Sequence, residues 1–346
     1  MASSAGIRGP AGVSVGVVGG GSWGTALADL LAAKGYPVAL WVYEREVAEQ
    51  IALLRENRLF LPGVSLSPNL AATNDLGAVV AGKDLLVVVV PSHVMRATAG
   101  AMAAHLAPGT AVVSASKGIE NDTQLTMTGV LREVLGLAEE RLAVLSGPSF
   151  AVEVARRLPT VVTVASRRPE LARLVQQTFA TPYFRVYTSD DTIGVELGGS
   201  VKNVIAIAAG MVDGLGLGLN TRAALITRGM TEIRRLGRRL GANPRTFTGL
   251  AGYGDLILTC TGALSRNHAL GQKIAAGRPL KEILAEMRMV AEGVKTARSV
   301  HELAQRLAVE MPISEGVYRI LYEGLPPREA VVQLMTRDLK AELDED

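Results

Sequence analysis

Val15–Ala28 reads VGVVGGGSWGTALA, and the rest of the chain is best read outward from it. A short β-branched run leads into Gly19-x-Gly21-x-x-Gly24, which opens an apolar, helix-forming run. Each glycine has a mechanical reason: the first permits a tight turn, the second lets a pyrophosphate approach the backbone, and the third lets helix and strand pack closely. Amides at the helix start, around Ser22 and Trp23, would face the phosphates with the positive end of the helix dipole. The same spacing also occurs in ordinary glycine-rich turns, so what surrounds it decides the reading.

What surrounds it is alternation. Strand-like runs at Val13–Val18, Val38–Val42, Leu85–Val90, Ala111–Ser114, Leu142–Leu145 and Thr160–Ala165 are separated by helical patterns at 23–34, 46–57, 93–105 and 124–135. Several of the runs are continuously apolar, the signature of strands covered on both faces. This predicts an α/β fold, a Rossmann-like doubly wound sheet over residues 13–193. Strand runs stop near Thr188–Ile193, and helix-period stretches follow at 195–212, 220–240, 265–276, 291–308, 314–323 and 327–335. A second, all-helical C-terminal domain is therefore expected over 194–340, with a substrate role.

Composition agrees with two cores. The chain has 346 residues, 48% of them hydrophobic, which exceeds what one ordinary core of roughly 100 to 200 residues needs. A formal charge of +3 is a weak field for this length and argues against nucleic acid as a partner. The single cysteine, Cys260, cannot form an intrachain disulfide, and no Cys/His pattern resembles a metal-ligand cluster. That suits a cytoplasmic location. No apolar run reaches the ~18 residues of a membrane span, so stable membrane insertion is not expected. Nor does the start of the chain read as a signal peptide.

Candidate cofactor residues follow from the cradle. Gly19, Gly21, Ser22, Trp23 and Gly24 form it, and twenty residues beyond Gly24 comes Tyr43-Glu44-Arg45. A carboxylate there can accept the ribose 2′-hydroxyl of NAD, while an arginine there can pair with the 2′-phosphate of NADP. Both are present, and both can equally serve to begin the next helix.

Ligands of open α/β sheets bind beyond the carboxyl ends of strands. Three further strand ends therefore matter: Pro91-Ser92-His93, Ser116-Lys117-Gly118 and Ser146-Gly147-Pro148-Ser149. His93 reads as a helix-start residue and Ser149 as a cap for the next helix. Lys117 stands out because only 8 of the 36 basic residues are lysines.

A second cluster lies in the helical half. Glu196–Gly210 reads ELGGSVKNVIAIAAG, an apolar helix carrying Lys202 and Asn203 side by side. Burying an unpaired ammonium there costs several kcal/mol, and such a lysine can protonate a carbonyl oxygen as hydride reaches carbon. The alternative is a lysine snorkelling from a helix surface. Asp255 and Thr259 share a helix face at i, i+4, and Arg266 with Asn267 suits capture of a phosphate. Their plain alternatives are a helix cap for Asp255 and a solvated charge for Arg266.

These motifs carry a resemblance. GGGSWGTALA, LWVYERE, VVVVPSHVMR, SASKGIE, LSGPSFAVEVA, VELGGSVKNVIAIAAGM, AALITRG, GLAGYGDLILTC and SRN, in this order, resemble the bacterial NAD(P)-dependent glycerol-3-phosphate dehydrogenases from about Val13 to Met335. The resemblance implies an oxidoreductase exchanging hydride between NAD(P)H and dihydroxyacetone phosphate to give sn-glycerol 3-phosphate for phospholipid synthesis. It implies Lys202 as the proton donor or acceptor, and Lys117, Gly147, Ser149, Asn203, Asp255, Thr259, Ser265, Arg266 and Asn267 around the triose phosphate. Lys117, Ala151, Arg266, Val290 and Glu292 join the cradle as cofactor residues, and a homodimer is implied. Many relatives carry arginine or histidine where this chain has Tyr43, so Tyr43 departs from the pattern; NADPH is expected on the family's habit, with NAD open. The rival readings are a 3-hydroxy acid dehydrogenase of the same two-domain plan and a non-catalytic NAD(P) sensor.

Overall fold

The computed structural model describes residues 12–287 and 291–342. It divides into two compact units: residues up to Lys117 with Leu125–Val195, and Gly118–Gln124 with the residues from Glu196 onward. This differs from a single cut at residue 193, because the seven-residue segment after Lys117 belongs with the helical half. Two serines hold it there. Ser200 Oγ accepts from Gly118 N at 2.9 Å, and Ser299 Oγ donates to Ile119 O at 2.9 Å.

The first unit contains one eight-stranded sheet: β1 (Val15–Val18), β2 (Val38–Trp41), β3 (Leu70–Thr73), β4 (Leu85–Val88), β5 (Ala111–Ser114), β6 (Leu142–Ser146), β7 (Thr160–Ala165) and β8 (Phe184–Ser189). Its helices are α1 (Ser22–Ala33), α2 (Arg45–Leu54), α3 (Leu76–Val80), α4 (Met95–Ala103), α5 (Met127–Leu135), α6 (Ala151–Ala155) and α7 (Pro169–Phe179). The strand order is β3-β2-β1-β4-β5-β6-β7-β8. β1 through β6 are mutually parallel, in the order of a dinucleotide-binding sheet. β7 then runs antiparallel to β6, with β8 parallel to β7. Residues 147–159, which contain the short α6, make the link at which the direction reverses.

Apolar layers cover both faces of the sheet. Val15, Val17, Leu27, Leu31, Leu85, Val87 and Val113 belong to one buried cluster, and Val18, Leu86, Val88, Met95, Met102 and Val112 to the other. Alternate residues of β1 and β4 thus enter opposite layers, which is why their sequences are apolar throughout. β3, α3, α6 and α7 fall outside the expected elements, as does β8. LAAT in β3 is no shorter than β1 but is too alanine-rich to read as a strand, while in β8 Phe184 and Val186 point inward and Arg185 and Tyr187 outward.

α8 (Thr192–Gly214) belongs to the helical unit from Glu196 on, and that unit continues through α9 (Gly218–Arg239), α10 (Asp255–Thr261), α11 (Arg266–Ala275), α12 (Leu280–Glu286), α13 (Glu292–Leu307), α14 (Pro312–Tyr322) and α15 (Pro327–Met335). Among the described residues α8 is the one helix long and apolar enough to cross a membrane, and that apolar window is wholly buried as a core element. α11 packs against α8 with backbones nearly touching. A Cβ on Gly210 would lie 2.0 Å from His268 O, and one on Gly271 would lie 2.1 Å from Ile207 O. These glycines let polar side chains from neighbouring helices reach the middle of α8.

Candidate active site

The glycine turn joins β1 to α1 at the point where strand order reverses, between β1 and β4. Gly19 takes φ +124° and leaves no room for a side chain, since a Cβ would meet Val89 O at 2.5 Å. Gly24 is tighter still, because a Cβ there would lie 1.8 Å from Gly19 O. Gly21 is the opposite case: a Cβ there meets nothing within 4 Å, so its smallness answers to something outside the protein. Trp23 adds a second sign, because its Nε1 is buried without a hydrogen-bond partner among the described residues. An open glycine face, an orphaned donor and the start of α1 together fit the pyrophosphate region of a dinucleotide.

At the end of β2, Tyr43 is 76% exposed and meets Trp41 edge-on, ring centroids 6.1 Å apart. Asn74 Nδ2 donates to Val42 O at 3.0 Å and to Tyr43 O, fixing this turn. Glu44 occupies the cap position of α2 without capping it by its side chain, and Arg45 is the first helical residue, exposed. Both charged groups therefore remain available to a ligand.

Lys117 Nζ donates to Gly147 O at 3.3 Å, which brings the β5 and β6 ends together. Ser149 does not cap the next helix as expected: the cap position of α6 is Phe150, and Ser149 Oγ donates instead to Gly147 O at 2.9 Å. Ala151 opens α6, packed against the sheet core. His93 is exposed within a short 3₁₀ turn at 92–94, consistent with a helix-start role.

The helical unit assembles the other cluster. Lys202 does not snorkel; its side chain is 7% exposed and its ammonium pairs with Asp255, whose side chain is 1% exposed. Nζ also donates to Thr259 Oγ1 at 2.8 Å, while Thr259 Oγ1 donates to Asp255 O at 2.6 Å. Asp255 is thus a buried counterion rather than a helix cap. Breaking such a buried pair from one side costs about 3–5 kcal/mol.

Beside it, Asn267 Nδ2 donates to Asn203 Oδ1 at 2.9 Å, and Gly293 N donates to Asn267 Oδ1 at 3.1 Å. With Oδ1 so engaged, the NH₂ group is the remaining donor of the Asn203 side chain. Ser265 caps α11, its Oγ accepting from His268 N at 3.2 Å. Arg266 is the first residue of α11 and has an exposed side chain. Protein crowding thins its hydration and lowers its pKa from the usual arginine value, and the charge of Glu292 opposes that. Glu292 opens α13, and Val290 lies outside the described residues.

Two contributors carry no sequence signal. Phe60 lies in an irregular loop, yet its carbonyl accepts from Ser22 Oγ at 2.5 Å beside the glycine turn. Asp213 near the end of α8 receives Arg222 of α9 at 2.9 Å and His268 of α11 at 2.8 Å. Neither falls in a recognisable motif, and only folding reveals them. Among the described residues no group of three or more His, Cys, Asp or Glu side chains could hold a metal ion.

Comparison with known proteins agrees with this arrangement. The families described as NAD-dependent glycerol-3-phosphate dehydrogenase N-terminus and C-terminus match residues 14–172 and 191–332. A protein of Syntrophobacter fumaroxidans named glycerol-3-phosphate dehydrogenase [NAD(P)+] is 59% identical over 95% of this chain and 97% of its own length. Its namesake from Geobacter sulfurreducens is 58% identical over 95% and 98%. The crystal structure of glycerol-3-phosphate dehydrogenase from Coxiella burnetii superposes with a TM-score of 0.90 at 42% identity, covering 94% of this chain and 99% of that one. With both halves of the family matched in order along nearly its whole length, the chain belongs to the NAD-dependent glycerol-3-phosphate dehydrogenases.

Proposed function

We propose that this protein interconverts dihydroxyacetone phosphate and sn-glycerol 3-phosphate with NAD(P)(H), supplying glycerol 3-phosphate to phospholipid synthesis. The observation that carries the reading is the buried Lys202 held by Asp255 and Thr259. A dinucleotide held by the glycine turn would supply hydride to the carbonyl carbon in reduction and accept it in oxidation. Lys202 gives its ammonium proton to the developing alkoxide oxygen in reduction and takes the hydroxyl proton in the reverse direction. Asp255 compensates the ammonium charge, and Thr259 fixes where Nζ points. Arg266 and Asn267 bind the phosphate as charge-assisted donors, and Asn203 donates to a substrate oxygen. Lys117, with Gly147 and Ser149 beside it, adds a cation for an anionic substrate.

We assign the 2′-phosphate of NADPH to Arg45, with Glu44 as the group that would serve NAD. Initial rates with both dinucleotides on Glu44→Ala and Arg45→Ala test this assignment. Support for a reducing, cytoplasmic setting comes from Cys260, whose thiol is buried and pushed up to about 12 by that burial, hence inert as a thiolate. A homodimer, to be checked by light scattering, completes the proposal.

Steady-state assays comparing dihydroxyacetone phosphate, dihydroxyacetone and a panel of 3-hydroxy acids test the reaction itself. Turnover confined to the phosphorylated ketone is expected. Comparable activity without the phosphate would favour a hydroxy acid dehydrogenase, and no hydride transfer with any triose phosphate would favour a sensor.

A further inference from the structure

We infer that Asn57 is a positioning residue for the dinucleotide: it locks the orientation of the Gly20–Gly21 peptide and so aims the Gly21 N–H at the pyrophosphate. This rests on the dinucleotide reading of the glycine turn. Asn57 lies in an irregular stretch between α2 and β3, well separated in sequence from the turn it serves, and is 0% exposed. Its amide is fully engaged there. Nδ2 donates to Gly20 O at 2.9 Å and to Thr25 Oγ1 at 2.9 Å, and Oδ1 accepts from Phe60 N at 3.0 Å. Thr25 Oγ1 donates to the same Gly20 carbonyl at 3.1 Å.

The consequence follows from peptide geometry. A peptide unit is planar and trans, so its C=O and N–H point in opposite directions. Two donors gripping Gly20 O on the inner side therefore turn the Gly21 N–H to the outer side. Gly21 itself has open space beside it, since a Cβ on it would meet no protein atom within 4 Å. Glycine turns have wide conformational freedom, and without this grip the peptide plane can rotate away from the anion. The same loop is tied a second time, by Ser22 Oγ to Phe60 O at 2.5 Å. Asn57 touches no ligand in this account; it acts through the peptide it holds.

The test separates pyrophosphate recognition from general damage. ADP-ribose carries the pyrophosphate and AMP does not, and calorimetry reads both without turnover. Wild type must bind ADP-ribose; if it does not, the dinucleotide reading fails rather than the role of Asn57. In Asn57→Asp, which keeps the shape and the acceptor for Phe60 N but loses both donors, ADP-ribose affinity should fall on the order of 10- to 100-fold, with AMP affinity changed less than about 3-fold. KM for dihydroxyacetone phosphate at saturating dinucleotide should stay within about 3-fold of wild type, whereas KM for the dinucleotide rises. Thr25→Val against Thr25→Ser provides the same comparison should the Asn57 variant not fold, the serine restoring affinity. Unchanged ADP-ribose binding, or equal losses for ADP-ribose and AMP, would overturn the proposal.

Discussion

Lys202 Nζ donates to Thr259 Oγ1 over 2.8 Å, linking α8 to α10 at a buried point. A lysine side chain is long and flexible, so the position of its nitrogen depends on such acceptors. Thr259→Val keeps the volume and removes the acceptor. Its kcat should fall about 10-fold with KM for the dinucleotide unchanged, and Thr259→Ser should restore most of it. Steady-state kinetics on the three proteins check this.

Arg266→Ala should act on binding. The expected result is a KM for dihydroxyacetone phosphate raised on the order of 10- to 100-fold, from loss of a charge-assisted contact. An unaltered KM would place the phosphate elsewhere.

Gly210→Ala tests the close approach of α8 and α11. The added methyl would sit 2.0 Å from His268 O, a backbone atom that cannot swing aside. Overpacking of this kind costs about 1–3 kcal/mol or more, and displacement of α11 carries Arg266 and Asn267 with it. A lowered denaturant midpoint together with raised substrate KM is expected.

Glu232 of α9 is buried, and its carboxylate accepts from Ile313 N at 2.5 Å and from Ser314 N at 3.0 Å at the start of α14. Burial pushes its pKa up to about 7 from 4.5, although those donors oppose the shift. The folded state therefore holds a proton that the unfolded state releases between those values. The stability this proton contributes is full below about 4.5 and is lost as pH rises to about 7, with a slope of at most ~1.4 kcal/mol per pH unit. Denaturant titrations from pH 4.5 to 8 should show Glu232→Gln lacking that slope.

Much of this was legible in the residue pattern because strands covered on both faces are apolar throughout. β1, β4 and β5 announce themselves for that reason, and the glycine turn follows from its spacing. β8 and α7 were legible as well, though by alternation rather than by continuous apolar runs: Phe184 and Val186 alternate with outward residues as in an edge strand, and Leu171, Val175 and Phe179 recur every fourth residue behind Pro169, the spacing of an amphipathic helix. In the site, Lys202 was visible as a charge in an apolar helix, but its partner was not. Asp255 reads equally well as a cap, and only the packing of α10 against α8 makes it a counterion. Asn57 and Asp213 were invisible for a related reason: an amide or carboxylate that serves distant backbone or side chains leaves no local spacing to detect.

The central claim is that Lys202 moves the proton, and single-turnover reduction of dihydroxyacetone phosphate by saturating NADPH in Lys202→Ala tests it most directly. The account predicts a rate lowered on the order of 10² to 10⁴-fold, with dinucleotide affinity unchanged. A rate close to that of wild type would contradict it.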